Sequence, residues 1–226
     1  MTGTGRRIAV AGPILTLSVM IWLHVAFPGT VDPMNAVISD YAWVDGAGPL
    51  FALGVLSLGA GTAGVTYVLA KVEPARSAAA RVLLAGITVA LALTALFPTD
   101  PSMGVSSATG EIHRWSTALV FTGLPCAGWI LARQTRVLPG WRNIGRVLTA
   151  VSMVSVLTLV VFLLNHPGSP VATLTGGAAF YGLVERFLVI SEVVLVLTMA
   201  AGATRARPSA IRRSTPSRSL ARGNIR

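Results

Sequence analysis

The sequence predicts an all-α integral membrane protein whose six transmembrane helices form one bundle. Three observations lead to this class. The chain of 226 residues is 53% hydrophobic and only 12% charged, whereas soluble domains carry about 25% charged residues. Its apolar residues fall into six long segments separated by polar connections. Its basic residues gather in alternate connections, which is the pattern that sets the orientation of membrane helices.

Each apolar segment is long enough to cross a bilayer, because about 20 helical residues span a hydrocarbon core of about 30 Å. The predicted spans are residues 8–27, 49–70, 80–97, 115–132, 147–164 and 181–201. Residues 1–203 therefore form a predicted six-span transmembrane domain. Residues 204–226 are rich in Arg, Ser and Pro, a composition that predicts a basic, disordered cytoplasmic tail.

The first segment has a rival interpretation as a cleavable export signal. It follows Arg6 and Arg7, and paired arginines precede some bacterial signal peptides. However, its apolar run is longer than that of a signal peptide, and no clear A-x-A cleavage site follows it. We therefore predict a retained span.

Glycines recur along one predicted helix, the second. They are Gly54, Gly59, Gly61 and Gly64. Small residues allow the backbones of membrane helices to approach closely. We expect these glycines to pack against a neighbouring helix rather than to bind phosphate.

The basic residues predict that both termini are cytoplasmic. With the N-terminus inside, the cytoplasmic segments hold two, three, four and seven Lys and Arg residues, sixteen of the eighteen in the chain. Only Arg114 and Arg186 lie on the other side. The net charge of +10 is thus a topology signal that could also hold anionic lipid headgroups at the cytoplasmic face. Nucleic acid is not needed to explain it, and the oligomeric state stays open.

Polar residues gather near the outer ends of the spans and in the outer connections. Because ionisable groups at membrane depth are costly, they mark a site or a structural pairing. The predicted outer polar cluster consists of Ser39, Asp40, Asp100, His113, Arg114, His166, Glu185 and Arg186. Glu192 lies further inside the last span as a buried acid. Glu185 and Glu192 are two helical turns apart, so they share a face and lie about 10 Å apart along the axis.

Four short motifs from this layer occur in a recognisable order around the six spans. They are Ser39-Asp40, Phe97-Pro98-Thr99-Asp100, His113-Arg114-Trp115 and Glu185-Arg186. In this order they resemble the prokaryotic six-span membrane family catalogued as domain of unknown function 998. The resemblance covers roughly residues 8–202 and leaves out the tail. It implies a multi-pass protein of a bacterial plasma membrane and carries no activity with it.

The chemistry of the outer cluster leaves several functions open. A carrier or lipid-handling protein with an outward-facing polar pocket is the leading hypothesis, and Glu192 suits proton or substrate coupling. The alternative is a metal-assisted membrane hydrolase with His24, His113 and His166 as candidate ligands. The cluster could also be purely structural, with its two arginines neutralising the outer acids. Whether the protein is an enzyme stays open.

Some other sites are disfavoured by the sequence. The single cysteine, Cys126, excludes an internal disulfide framework and a thiolate-rich metal site. The three histidines all lie on the predicted outer side, whereas haem that carries electrons across the membrane needs histidines near both faces. No cofactor is predicted.

One specific contact is predicted within the outer cluster. Arg186 starts a span on the acid-rich face, where its planar guanidinium could take a carboxylate with both nitrogens. Asp100 ends the third span at a similar depth, while Asp40 lies in the middle of a loop. We therefore expect Arg186 to pair with Asp100 rather than with Asp40.

Overall fold

Six long helices dominate a computed structural model of the protein, which describes residues 2–101, 105–175 and 180–205. Each of the six is long and apolar enough to cross a membrane. The described residues contain no strand, so the predicted all-α, six-span class is confirmed. The long helices are α1 (Thr2–Ala26), α2 (Gly48–Val72), α3 (Ala78–Leu96), α4 (Ala108–Thr135), α5 (Arg142–Leu164) and α7 (Tyr181–Arg205), and a short helix, α6 (Pro170–Thr175), precedes α7.

Several helices extend beyond the apolar segments that predicted them. Helix α4 begins at Ala108 rather than at Trp115, because the hydroxyl oxygen of Ser107 accepts a hydrogen bond from the N–H of Gly110 at 3.0 Å and caps the helix. Helix α7 continues to Arg205, so the first two residues of the predicted tail are helical. Residues 206–226 of that tail lie outside the described residues.

Helix α7 is the central helix of the bundle. Each of the other long helices packs against its neighbours in the chain, and α7 packs against α1, α2, α4 and α5. Because other helices cover it on several sides, α7 can carry charged residues away from lipid. Its Glu185, Arg186 and Glu192 are all buried. We call the end at which α1, α3 and α5 finish the outer end, after the predicted orientation, and the opposite end the cytoplasmic end.

Helices α1 and α2 approach so closely that glycine is required at their contact. A Cβ on Gly12 would lie 2.3 Å from the carbonyl oxygen of Ser57, and a Cβ on Gly64 would lie 2.7 Å from the backbone nitrogen of Ala9. The hydroxyl of Thr16 donates to the carbonyl oxygen of Gly54 at 3.0 Å across the same contact. Close packing by small residues, as predicted for α2, is confirmed here.

The α1–α2 connection folds back onto the outer end of the bundle. It contains a short 3₁₀ turn, Ile38–Trp43, whose Ile38 and Tyr41 side chains are buried. These two side chains join an apolar cluster with Leu23 of α1 and Phe51 of α2. Burial of this apolar surface holds the connection against the helix ends.

Candidate functional site

The residues predicted to share one outer polar pocket fall into separate groups. Residues of the first group, the α1–α7 cluster, contact the α1–α2 connection; they are His24, Glu185 and Arg186. Residues of the second group, the α3–α4 cluster, lie where α3 ends and α4 begins; they are Asp100, Glu111, His113 and Arg114. Ser39 and Asp40 lie in the 3₁₀ turn, and His166 follows α5.

Arg186 is the centre of the α1–α7 cluster and is only 7% exposed. Its Nε donates to Nε2 of His24 at 2.9 Å, and its Nη1 donates to the carbonyl oxygens of Ala36 at 2.7 Å and Gly182 at 2.9 Å. Because a guanidinium only donates, Nε2 of His24 must accept, which places the imidazole proton on Nδ1. That Nδ1 donates to the carbonyl oxygen of Met20 at 2.8 Å. Both ring nitrogens of His24 are thus occupied, and neither is free for a metal ion.

The start of α7 binds the backbone of residues 34–38, which we call the 34–38 segment. The N–H of Leu183 donates to the carbonyl oxygen of Met34 at 3.2 Å. The N–H of Ile38 donates to a carboxylate oxygen of Glu185. A Cβ on Gly182 would lie 2.2 Å from the carbonyl oxygen of Ala36. Only glycine therefore fits at this point of α7 without displacing the segment.

The α3–α4 cluster is more exposed to solvent. One carboxylate oxygen of Asp100 accepts from the hydroxyl of Ser107 at 2.6 Å and from its N–H at 3.1 Å. Arg114 forms ion pairs with Asp100 at 3.5 Å and with Glu111 at 2.7 Å. The side chains of Arg114 and Glu111 are 60% and 40% exposed, so their pair contributes about 0–1 kcal/mol. The Asp100 side chain is only 7% exposed and is a buried acceptor for Ser107 at the start of α4.

His113 of the same cluster is buried and holds the end of α3. Its Nδ1 lies 2.8 Å from the carbonyl oxygen of Phe97 and 3.2 Å from that of Thr94. These carbonyls belong to the last turn of α3, which has no further helical donors. The indole N–H of Trp43 donates to the carbonyl oxygen of Thr99 at 3.0 Å and ties the α1–α2 connection to the same place.

The predicted contact between Arg186 and Asp100 is wrong. Asp100 pairs with Arg114, and α3, which leads into Asp100, packs mainly against α2 and α4 rather than α7. Asp40, the second choice, also forms no ion pair, since the only ion pairs among the described residues are those of Arg114. Nε and Nη1 of Arg186 donate to His24 and to carbonyl oxygens, which lie directly beside α7. The buried Nη2 has no hydrogen-bond partner among the described residues.

The pKa values of two acids in the α1–α2 connection are shifted in opposite directions by their surroundings. The carboxylate of Asp32 accepts hydrogen bonds from the N–H of Met34 and the side chain of Asn35, which lower its pKa below the usual value. Burial raises the pKa of Asp40, although a backbone hydrogen bond and the charge of Arg186 partly oppose that effect. Ser39, next to Asp40, takes no part in the hydrogen bonds of either cluster among the residues described.

The three histidines do not converge on one site. His166 is exposed, accepts a hydrogen bond from the N–H of Gly168 at 3.1 Å and packs edge-on against Tyr181. His24 and His113 belong to different clusters. Within residues 2–101, 105–175 and 180–205, no group of three or more His, Cys, Asp or Glu side chains could hold a metal ion. The hydrolase alternative therefore has no ligand set among these residues.

Glu192 is enclosed near the middle of α7 and is 1% exposed. Neither of its carboxyl oxygens has a hydrogen-bond partner among the described residues. The hydroxyl of Ser155, which lies near the carboxyl group, donates to Ser191 at 2.7 Å, and Ser191 donates to the carbonyl oxygen of Leu188 at 2.7 Å. The hydroxyl protons of Ser155 and Ser191 are thus directed to these acceptors. Leu188, fully buried, separates Glu192 from Glu185.

A line of hydroxyl groups on α5, of which Ser155 lies near Glu192, was missed by the sequence reasoning. Ser152 of α5 is 2% exposed, and its hydroxyl has no hydrogen-bond partner in the part of the chain that the structure describes. Thr149, Ser152, Ser155 and Thr158 follow one another at three-residue intervals along the apolar part of α5. That spacing, together with an acid in the last span, was the available signal. It predicts one helix face but not which helix that face meets.

Comparison with known proteins identifies the family of the chain. Neither a curated protein nor a solved structure shows a significant match. A family model described as "Protein of unknown function (DUF998)" matches residues 10–202, which include most of the first and last spans, the four spans between them, both outer clusters and Glu192. The chain therefore belongs to this family, the domain of unknown function 998.

Proposed function

We propose that the protein is a membrane carrier in which Glu192 binds and releases a proton during transport. The observation that carries the proposal is the enclosed carboxyl group of Glu192, which has no hydrogen-bond partner among the described residues. An ionised carboxyl group in such a place has no neighbouring positive charge to offset its desolvation. Ionisable residues in the interior of membrane bundles are typical of proton relays in pumps and transporters.

A line of hydroxyl groups supports access to Glu192 from the cytoplasmic end. Ser155, Ser152 and Thr149 lead along α5 in steps of about 4.5 Å, the rise of three helical residues. Ser155 and Ser152 are buried, and the line becomes more open at the half-buried Thr149 toward the cytoplasmic end and at the half-buried Thr158 toward the outer end. An unpartnered hydroxyl at Ser152 is suited to bind a water molecule on this route.

Apart from this line of hydroxyl groups, the paths to Glu192 along α7 are closed by buried side chains. Toward the cytoplasmic end, α7 itself continues with the fully buried Leu195, Val196 and Met199. Toward the outer end, Leu188 is fully buried, and α7 is bound to the 34–38 segment. Access from one end at a time is the arrangement that a carrier requires.

The test measures proton binding without knowledge of the transported substrate. Purified protein is reconstituted into liposomes on a capacitive membrane sensor, and the charge displaced by a rapid pH step is recorded. We expect a transient displacement from the wild type and none from Glu192→Gln, which keeps the shape of the side chain and removes its titration. Glu73→Gln, at the half-exposed start of the α2–α3 turn, is the matched control and should respond like the wild type.

The two other outcomes overturn the proposal. A response of Glu192→Gln equal to that of the wild type would show that Glu192 has only a structural role. A displacement that requires a sodium step at constant pH, and is lost in Glu192→Gln, would replace the proton by a sodium ion. The elution profile of each variant in detergent checks that the substitution leaves the fold intact.

A further inference from the structure

A groove of about 650 Å³ lies between α4 and α5 near the cytoplasmic end. Its floor is formed where the helices meet, since a Cβ on Gly145 would lie 3.5 Å from the carbonyl oxygen of Ala132. Its apolar wall contains Trp129, which is 38% exposed, and Met153, which is 59% exposed. Four arginines complete the lining: Arg133, Arg136, Arg142 and Arg146.

The charge of these four arginines, which we call the groove arginines, is not neutralised by the chain. All four are exposed, and the ion pairs found among the described residues involve Arg114 only. Glu73 is the one acid of the sequence on the cytoplasmic side, and it lies in the α2–α3 turn. The groove therefore combines a strong positive charge with an apolar surface that continues along α5.

We propose that this groove binds an anionic phospholipid of the cytoplasmic leaflet, with its headgroup phosphates on the groove arginines. The guanidinium group matches phosphate oxygens with paired hydrogen bonds. Four guanidinium groups are enough for the two phosphates of a diphosphatidylglycerol. The acyl chains lie on the exposed apolar face of α5, which includes Val154 and Leu157. Basic pockets between membrane helices on this side bind such headgroups.

Trp129 has a defined part in this arrangement. It lines the same groove as the groove arginines, and Trp side chains prefer the level of the lipid headgroups. The ring can cover the glycerol region of the lipid while the arginines hold the phosphates. Thr149, at the cytoplasmic end of the hydroxyl line, also lines this groove, but the lipid-binding test does not depend on proton binding at Glu192.

The test titrates the purified full chain with diphosphatidylglycerol in a neutral detergent and measures the bound lipid by native mass spectrometry. The variant Arg133→Gln with Arg146→Gln removes one groove arginine from each helix. We expect it to bind the lipid roughly tenfold more weakly or worse, because it loses two charge-assisted contacts. Lys71→Gln with Arg76→Gln removes the same charge from the end of α2 and the α2–α3 turn and should bind within about twofold of the wild type.

Further binding measurements distinguish the lipid from other ligands. Phosphatidylcholine should bind no better to the wild type than to the groove variant. Displacement of the lipid by millimolar inorganic phosphate would identify a free-phosphate site and overturn the proposal. Equal affinity of diphosphatidylglycerol for the wild type and the groove variant would also overturn the proposal.

A second groove variant covers the case in which the first does not fold. Arg136→Gln with Arg142→Gln removes the other two groove arginines and carries the same expectation. A third, Arg133→Lys with Arg146→Lys, keeps the charge but not the paired geometry, so it should bind with intermediate affinity. Wild-type affinity in that lysine variant would show that the positive field alone holds the lipid and would contradict the assigned contacts.

Discussion

Arg186 lies between His24 on α1 and the carbonyl oxygens of Ala36 and Gly182. No carboxylate neutralises it by direct contact among the residues described. The charges of Asp32, Asp40 and Glu185 nevertheless act on it from a greater distance. Its role at the scale of single residues is therefore to join α1, the α1–α2 connection and α7 through hydrogen bonds.

This arrangement predicts energetic coupling between His24 and Arg186. Replacing Arg186 by Ala leaves the Nε2 atom of His24 and the carbonyl oxygen of Ala36 without their donor, at about 1–3 kcal/mol for each unsatisfied group. His24→Ala removes one of the same contacts. The two losses of stability should therefore not add, with a coupling of about 0.5–3 kcal/mol. Thermal unfolding of both single variants and the double variant in detergent measures it.

A second cycle provides the control. Asp100→Ala and Arg186→Ala affect different clusters, so their losses of stability should add within about 0.5 kcal/mol. Strong coupling in this second cycle, or additive losses in the first, would show that Arg186 has partners other than those described.

The sequence identified most of these residues as a group but not their partners. Buried charge on an apolar helix marks a residue as important, which is why Arg186, Glu185 and Glu192 were found. The partners of Arg186 are backbone carbonyls and a histidine, and a backbone oxygen has no signature in the residue pattern. For the same reason the hydrogen bond from Ile38 to Glu185 could not be predicted.

At the scale of secondary-structure elements, the contact between α7 and the 34–38 segment depends on Gly182. Gly182→Ala places a methyl group against the carbonyl oxygen of Ala36, and neither backbone can move away without loss of the neighbouring hydrogen bonds. Overpacking of this kind costs about 1–3 kcal/mol. We expect the unfolding midpoint to fall by several degrees, since about 1 kcal/mol shifts it by about 2–4 °C in a chain of this size.

Gly86 of α3 offers a matched control. It is also a helical glycine, but a Cβ there meets no atom within 4 Å. Gly86→Ala should leave the midpoint unchanged or raise it, because alanine favours the helix by about 1 kcal/mol. Equal effects of the two alanine substitutions would mean that the 34–38 segment does not rest on Gly182.

The elements themselves were largely predictable, and their ends were not. Apolar length identified all six spans because a bilayer demands about 20 apolar residues. The ends depend on polar groups that hydropathy ignores. Ser107, which begins α4 earlier than expected, is the clearest case. The 3₁₀ turn Ile38–Trp43 was likewise not predicted, since a single pair of buried side chains three residues apart is too short to form a recognisable repeat.

For the whole molecule, the distribution of basic residues still predicts that both termini are cytoplasmic. Single cysteines can test this orientation in a Cys126→Ala background. Val105→Cys lies in the α3–α4 connection, and Ala75→Cys lies in the α2–α3 turn; both positions are exposed. We expect a membrane-impermeant thiol reagent to label Val105→Cys in intact cells and Ala75→Cys only after the cells are opened. The reverse labelling pattern would invert the topology and move the arginine-lined groove to the outer leaflet.

The arrangement of the helices was the part of the whole fold that the sequence did not predict. A hydrophobic period cannot single out α7 as the central helix, because all six spans are apolar and each has small residues. The three charged residues of α7 were a partial signal, since charge in a span avoids lipid. Which neighbours enclose it follows from packing at points such as Gly128, where a Cβ would lie 2.7 Å from the hydroxyl oxygen of Ser152 and 3.1 Å from Leu195.

The central place of α7 also has a consequence for biogenesis. Ribosomes make a chain from its N-terminus, so the five other spans enter the membrane before α7, which packs against four of them. Before α7 is inserted, its place in the bundle is not yet filled. The 34–38 segment then lacks the hydrogen-bond donors and acceptors that α7 supplies. Ile38 and Glu185, which meet in the finished bundle, are 147 positions apart in the chain. Closure of the outer end is therefore a late event, completed only after synthesis of the sixth span.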